Sequence, residues 1–406
     1  MGDTVVIAGA GHAAGQVVAT LRLKKFDGAI ILIGEEPWLP YQRPPLSKKF
    51  LAGELPAERL HFKPESFYDD PGIEVRLETR IDAVDCGGKT LQTADGETLA
   101  YDKLVFATGA RPRLLDLPGV DLDGIHYLRT IADVTGIRSQ LIKGARLVII
   151  GAGYIGLEVA AVASQLGADV TVIEMEDRVM SRVVSPQISE FYQKEHSAHG
   201  VKFMLSTAIS GFSGDARVSA VDLANGDQVA ADLAVIGIGV VPNTELASDA
   251  GLDVDNGIVV DDHCQTSDAD IFAVGDCTHH PNDILGVRVR LESVHNALEQ
   301  AKTAASNICG DESRYAQVPW FWSDQYDLKL QIAGLSQGYD RAIVRGDPNS
   351  RSFSCLYLRD GQLIAVDAVN SPKDFMQSKA LIAAHAVIDP DLLANAENEL
   401  KNMNDG

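Results

Sequence analysis

The sequence predicts an α/β fold in which one βαβ unit occurs twice, followed by a small α+β domain. Three observations carry the prediction. The stretches VVIAGAGHAAG (5–15) and VIIGAGYIGLE (148–158) are glycine-rich turns, each following an apolar run and opening a segment with helical spacing. The two copies share this layout but little sequence, so they are diverged units rather than a short tandem repeat. After about residue 325 the pattern changes to short strands joined by a tight turn.

The elements follow in order. Residues 5–11 form a strand and turn, and a helix runs from there to about Lys25. AIILIGEE (29–36) is the next strand. WLPYQRPPLSKKF (38–50) is rich in proline, which removes backbone donors and breaks regular ladders, so it reads as a loop. KLVFATGARPR (103–113) is a buried strand with a glycine turn. RLVIIGAGYIGLEVAAVASQLGADVTVIEME (146–176) repeats strand, turn, helix and strand, and ADLAVIGIGVVPN (231–243) and ADIFAVGDC (269–277) are further buried strands. AIVRG (342–346), SFSCLYL (352–358) and QLIAVDAV (362–369) read as antiparallel strands, with Asp360-Gly361 as a hairpin turn. An alanine-rich helix is expected over 376–388, and the polar tail NAENELKNMNDG is expected to fray.

Composition narrows the function classes. The 406 residues are 46% hydrophobic and 23% charged, enough to build large cores without a disulfide or metal staple. The net charge of −22 disfavours nucleic acid and anionic membrane, which are themselves negative. An acidic protein partner would need a local basic patch, for which Arg290, Lys329, Arg341 and Arg345 are the candidates. The cysteines, Cys86, Cys264, Cys277, Cys309 and Cys355, are odd in number and lack C-x-x-C spacing, against a disulfide framework, a zinc finger or an iron–sulfur cluster. His279-His280 has no spaced acid or cysteine to complete a site, so no metal is expected. The apolar runs meet a charge before bilayer length, and the first residues carry no basic leader; a cytoplasmic protein is expected.

The glycine loops carry the chemistry. Gly9, Gly11 and Ala14 fit the pattern G-x-G-x-x-G/A: the first glycine for a tight turn, the second for close approach to a pyrophosphate, the third for packing of helix on strand. A helix N-terminus then offers free N–H groups to the phosphates. Glu35 ends the second strand, where a carboxylate can bind ribose hydroxyls. Gly151, Gly153 and Gly156 repeat the pattern, and their second strand ends at Glu174, an acid suited to the 2′-hydroxyl of NAD and repelling the 2′-phosphate of NADP. Arg178 and Arg182 lie downstream and can soften that preference. The fold class is therefore α/β with two Rossmann-like dinucleotide-binding domains. Two such sites suggest FAD, tightly held, and NAD, mobile, with hydride passing between their rings.

Eight motifs extend this reading: YQRPPLSK (41–48), ATGARPR (107–113), HYLRT (126–130), GAGYIGLE (151–158), GIGVVPN (237–243), VGDC (274–277), RLESVHNALEQA (290–301) and PWFWSDQY (319–326). Together they resemble the FAD-dependent ferredoxin reductases of the glutathione-reductase-like superfamily over nearly the whole chain. The resemblance implies FAD contacts at Ala13, Glu35, Arg43, Lys48, Ile81, Arg129, Asp276 and Val294, the last within a segment, Glu292–Val294, that meets the flavin through main-chain groups. It implies NAD contacts from Gly151 to Glu158, Ile155 included, and at Glu174 and Ile238-Gly239. It also implies a Lys48–Glu158 ion pair beside flavin N5, where an ammonium would stabilise negative charge on the ring. The plainer alternative is that Lys48 binds phosphate and Glu158 caps its helix.

The same resemblance implies a division into an FAD domain, 1–112 with 243–322, an NAD domain, 113–242, and a C-terminal α+β domain, 323–406, that covers the flavin. Glutathione-type reductases carry a C-x-x-x-x-C dithiol early in the chain, and coenzyme A disulfide reductases and related NADH oxidases and peroxidases one cysteine near position 42; residues 36–60 hold no cysteine, so electrons would leave the flavin directly. The implied partners are NADH and a [2Fe-2S] ferredoxin that serves a monooxygenase or a Rieske dioxygenase. The alternatives are another acceptor, rubredoxin or monodehydroascorbate, and a redox signalling flavoprotein like the apoptosis-inducing factors. His295 either lines the acceptor face or is structural, and Trp320 and Trp322 either shield the flavin or shape the exit route, or pack the core.

Overall fold

The computed structural model describes residues 2–403. Contacts gather the chain into two compact units. The first comprises residues up to Arg43, Glu58–Arg111 and Val241–Trp320; the second comprises Pro44–Ala57, Pro112–Val240 and the chain from Phe321 onward. The region expected to bind NAD and the C-terminal α+β region thus share one unit, together with the short stretch after Arg43.

The first unit is built on a parallel five-stranded sheet. Strand Thr4–Ala8 pairs with Ala29–Ile33 on one side and Lys103–Phe106 on the other; Ile73–Arg76 and Ile271–Ala273 form the edges. Alternation along the first strand sends Val5 and Ile7 to one face and Val6 and Ala8 to the other. Helices His12–Leu23 and Val294–Ile308 cover the Val5 face, and their small residues Ala14, Ala297, Ala301 and Ala304 let the backbones approach closely. A three-stranded antiparallel sheet, Ile81–Asp85, Thr90–Thr93 and Thr98–Ala100, covers the other face with Ile81, Leu91 and Leu99. The sequence patterns did not distinguish this small sheet from loop.

The second unit repeats the arrangement. Strand Arg146–Ile150 lies between Asp169–Ile173 and Leu233–Ile236, with Lys202–Met204 and Ile125–Tyr127 at the edges, all parallel. Helix Tyr154–Gln165 follows its glycine turn. Val148 and Ile150 pack on the meander Ile209–Gly214, Val218–Leu223 and Gln228–Ala230, another small sheet with no clear sequence signal. The strand ranges expected at 231–243 and 269–277 are shorter here, because each sheet strand stops at its glycine turn.

The C-terminal region is a five-stranded antiparallel sheet formed by Trp320–Gln325, Leu328–Gly334, Arg341–Asp347, Ser352–Arg359 and Gln362–Val369. Asp360 and Gly361 both have positive φ, 52° and 79°, as a two-residue hairpin turn requires. The helix expected over 376–388 lies instead at Pro372–Ala383, with Pro372 at its first turn and His385 turning out with φ 53°. Within the described residues the tail is anchored where fraying was expected: Leu400 is fully buried and residues 400–402 form a short helical turn, as residues 390–394 do just before the tail; residues 404–406, which the same expectation covered, lie outside the described residues.

Candidate functional site

The two glycine loops adopt the same geometry. Gly9 has φ +116°, its N–H donates to Ile33 O at 2.8 Å, and a Cβ there would lie 2.3 Å from Ala107 O. Gly151 has φ +103°, its N–H donates to Ile173 O at 2.8 Å, and a Cβ would lie 2.5 Å from Gly237 O. Each turn is thus closed against the neighbouring strand, where only glycine fits. Gly11 and Gly153 are the residues at which the helices begin, and a Cβ at either would meet nothing within 4 Å. That open ground over a helix N-terminus is where a pyrophosphate can lie against the backbone. The third positions differ: Ala14 is fully buried with its methyl accommodated, whereas a Cβ on Gly156 would come 2.2 Å from Gly151 O.

In the first unit the loop after strand Ile271–Ala273 rests on the first glycine loop. A Cβ on Gly275 would sit 3.3 Å from Ala13 Cβ, so Asp276 emerges beside that loop. Gln300 Oε1 fixes the turn by accepting from Gly275 N (2.8 Å), Thr278 Oγ1 (3.0 Å) and Asn296 Nδ2 (3.2 Å). Val294 opens helix Val294–Ile308, whose cap is Ser293 Oγ accepting from Asn296 N. Asn296 Oδ1 and Gln300 Nε2 are buried and have no hydrogen-bond partner among the described residues. Buried polar atoms of this kind call for a partner, and a polar ligand beside Asp276 would supply one. Glu35 is exposed at the end of its strand. Arg43 is held by an acid that the motifs did not single out: Nη2 meets Glu36 Oε1 at 2.7 Å, Nη1 donates to Tyr41 OH at 2.9 Å, and Tyr41 OH donates to Glu36 Oε2. Ile81 is 8% exposed, with its side chain in the core, so it can offer a ligand only its main chain.

The second unit holds the other loop and the charged pair. Glu174 Oε2 accepts from Ala152 N at 2.7 Å and Oε1 from Glu176 N at 3.1 Å, which fixes the carboxylate against the glycine turn. Arg178 is turned away from any 2′-phosphate role: it donates to Val184 O, Ser189 Oγ and Ser181 O. Arg182 is exposed. Ile155 displays its apolar chain on the first helical turn, and Gly239, with φ +104°, leaves open space where a Cβ would stand. Arg129 precedes helix Ile131–Gln140, its N–H bonded to Asp133.

Glu158 lies within helix Tyr154–Gln165, 2% exposed, and pairs with Lys48: Nζ is 2.6 Å from Oε2. Its position inside the helix and its partner dispose of the capping alternative. Two further donors close on the same carboxylate, Ser47 Oγ to Oε2 at 2.5 Å and Ser323 Oγ to Oε1 at 2.6 Å. Neither serine was singled out from sequence, although both lie in quoted motifs, YQRPPLSK and PWFWSDQY. Lys48 also donates to Pro44 O at 3.2 Å.

Residues 3–301 match the family model described as pyridine nucleotide-disulphide oxidoreductase. The chain belongs to the pyridine nucleotide-disulphide oxidoreductase family. Residues 320–404 match a second model, the reductase C-terminal domain. The chain is 45% identical to the 5,5′-dehydrodivanillate O-demethylase ferredoxin reductase subunit of Sphingobium sp., covering 98% of this chain and 97% of that one. It is 43% identical to putidaredoxin reductase CamA of Pseudomonas putida over 99% and 96% of the two chains. Its fold matches the crystal structure of the covalent putidaredoxin reductase–putidaredoxin complex with a TM-score of 0.96, 43% identity, and 99% and 98% coverage.

This member of the pyridine nucleotide-disulphide oxidoreductases is an oxidoreductase that uses FAD and pyridine nucleotide, and the two open loops and the buried orphan amide atoms fit such ligands. The disulphide of the family's description has no counterpart in residues 36–60, which contain no cysteine. All five cysteines are free; Cys264, Cys277 and Cys355 are buried, and burial pushes their thiols up, away from the reactive thiolate. Among the described residues no group of three or more His, Cys, Asp or Glu side chains could hold a metal ion, and no helix is long and apolar enough to cross a membrane.

One expected surface residue is corrected. Arg345 is 4% exposed and belongs to no docking patch: it pairs with Asp374 and donates to the carbonyls of Leu393, Asn395, Ala396 and Asn398. Arg290 is also engaged, by Glu292, whereas Lys329 and Arg341 are exposed.

Proposed function

We propose that the enzyme takes hydride from NADH and delivers single electrons to a [2Fe-2S] ferredoxin that serves a monooxygenase or a Rieske dioxygenase. Bound FAD would supply the conversion of a two-electron donor into one-electron deliveries. The protein's part is to hold and orient. Gly9, Gly11, Ala13 and Ala14 present the first helix N-terminus to the FAD pyrophosphate, Glu35 takes ribose hydroxyls, Asp276 and the Val294 turn bind further along the cofactor, and Arg43, Arg129 and the main chain at Ile81 complete its contacts. Gly151, Gly153, Ile155, Gly156, Glu174 and Gly239 hold NADH. Lys48 would offer bound FAD an ammonium able to stabilise negative charge on its ring, and Glu158 would keep that ammonium in position. The enzyme is read as cytoplasmic and as three functional regions, FAD-binding, NAD-binding and C-terminal.

The observation that carries this reading is the Lys48–Glu158 pair at 2.6 Å in a chain without a cysteine in the adjoining stretch 36–60. An ion pair, rather than a thiol, then stands at the redox centre, and electrons pass to an external acceptor. The test is anaerobic reduction with NADH followed by stopped-flow mixing with a putidaredoxin-type [2Fe-2S] ferredoxin, rubredoxin, monodehydroascorbate or oxygen. The ferredoxin should reoxidise the enzyme fastest; a ferredoxin rate no greater than that with oxygen rejects the assignment.

A further inference from the structure

Hydrogen bonds continue from Glu158 on the side away from Lys48. Ser323 Oγ donates to Glu158 Oε1 at 2.6 Å, and Gln325 Nε2 donates to Ser323 Oγ at 3.1 Å. His196 Nε2 meets Gln325 Oε1 at 2.8 Å, and Tyr326 OH meets His196 Nδ1 at 3.1 Å. Ser323, Gln325 and His196 are fully buried, whereas Tyr326 is partly exposed, with the His199 ring stacked on it at 3.8 Å. Ser323 and Gln325 are two apart on strand Trp320–Gln325 and so share a face; His196 comes from helix Pro186–Ala198.

The polarity of the chain follows from its carboxylate end. A carboxylate oxygen only accepts, so the Ser323 hydroxyl proton points at Glu158 and its lone pair faces Gln325. Gln325 must then offer its amide N–H to Ser323 and its carbonyl to His196, which requires the proton on His196 Nε2. Burial pulls the His196 ring down to about 4, so it is neutral near pH 7 and Nδ1 accepts from Tyr326. The reverse order would turn the Ser323 proton toward Gln325 and set its lone pairs against the carboxylate at 2.6 Å.

We propose that Ser323, Gln325 and His196 are positioning residues for the Lys48–Glu158 pair. Their hydrogen-bond chain anchors the Glu158 carboxylate by Oε1 and leaves Oε2 for Lys48 and Ser47. With Oε1 taken by Ser323, the carboxylate cannot turn without breaking that bond, so Oε2 and the Lys48 ammonium paired with it keep one position. This rests on the reading that the pair serves the flavin.

The experiment is anaerobic stopped-flow reduction of the holoenzyme by NADH, with FAD content measured per chain, separating the limiting reduction rate from the NADH dissociation constant. Ser323→Ala should slow the limiting rate about tenfold, the scale of one hydrogen bond to a charged group. The NADH dissociation constant should change by less than about twofold. Ser323→Thr keeps the hydroxyl and should restore the rate, and Gln325→Met should act like Ser323→Ala. Because these residues work through Glu158, Glu158→Gln/Ser323→Ala should be no slower than Glu158→Gln alone. If Glu158→Gln is as fast as the parent, the underlying reading of the pair is wrong. If Glu158→Gln is slow but Ser323→Ala and Gln325→Met are fast, or if the losses multiply in the double variant, the positioning role is overturned.

Discussion

Glu174 is set in place by the turn beside it. With one oxygen on Ala152 N–H and the other on Glu176 N–H, the carboxylate needs no rearrangement to meet a ribose. Glu174→Ala should therefore raise the KM for NADH about tenfold, as loss of a charge-assisted hydrogen bond predicts, while FAD stays bound. Steady-state kinetics with a flavin spectrum checks this; loss of flavin instead would mean that the two nucleotide sites are assigned the wrong way round. The sequence pointed to Glu174, because an acid at the end of the second strand is a spacing rule. It did not locate Ser47 or Ser323, because a serine acquires its role only from the partner that folding brings to it, 111 residues away for Ser47 and 165 for Ser323.

At the scale of elements, the two βαβ units were legible because each couples an apolar strand to a glycine turn and a helix within a short window. The small covering sheets, 81–100 and 209–230, were not: their half-exposed strands are brief and carry weak alternation. The C-terminal helix was displaced for a local reason. Alanine content marks helix propensity, but Pro372 sets the start and the bend at His385 brings Val387 beside Gln362. The start of the tail, through Asn398, is ordered because its anchor lies elsewhere in the chain. Arg345 gathers four carbonyls between Leu393 and Asn398 and pairs with Asp374 while almost fully buried. Arg345→Met leaves these acceptors and the carboxylate without their donor and should cost about 3 kcal/mol. Limited proteolysis with mass spectrometry should then find new cleavage between 390 and 402; an unchanged digestion pattern would count against the anchor.

On the scale of the whole molecule, stability carries a pH signature beyond that of net charge. Asp367 lies in the middle of the C-terminal sheet, 1% exposed, accepting from Tyr357 OH, which in turn accepts from Ser185 N at 3.0 Å. Burial pushes the Asp367 carboxyl up to about 7. The folded chain therefore keeps a proton there in a range where the unfolded chain has lost it. This contribution is complete below the ordinary carboxylate value of about 4 and is lost as pH rises through about 7. Urea unfolding of the holoenzyme at pH 5 and pH 8 should show a lower midpoint at pH 8, and Asp367→Asn should reduce that difference. The comparison with the variant separates the buried acid from repulsion among the surface charges of a −22 chain, which acts in the same direction. Equal pH dependence in the two proteins would assign the effect to the surface.

The sequence by itself determined the two dinucleotide loops, the strands and helices that flank them and the missing thiol, because each depends on residue type and short-range spacing. Tertiary structure alone decided that Ser47 and Ser323 join Lys48 on Glu158, that Arg345 is an internal anchor rather than a surface charge, and that Asp367 is buried with a tyrosine. In each case the deciding quantity is the removal of a charge from water, and that is a property of the packed chain, not of any segment read alone.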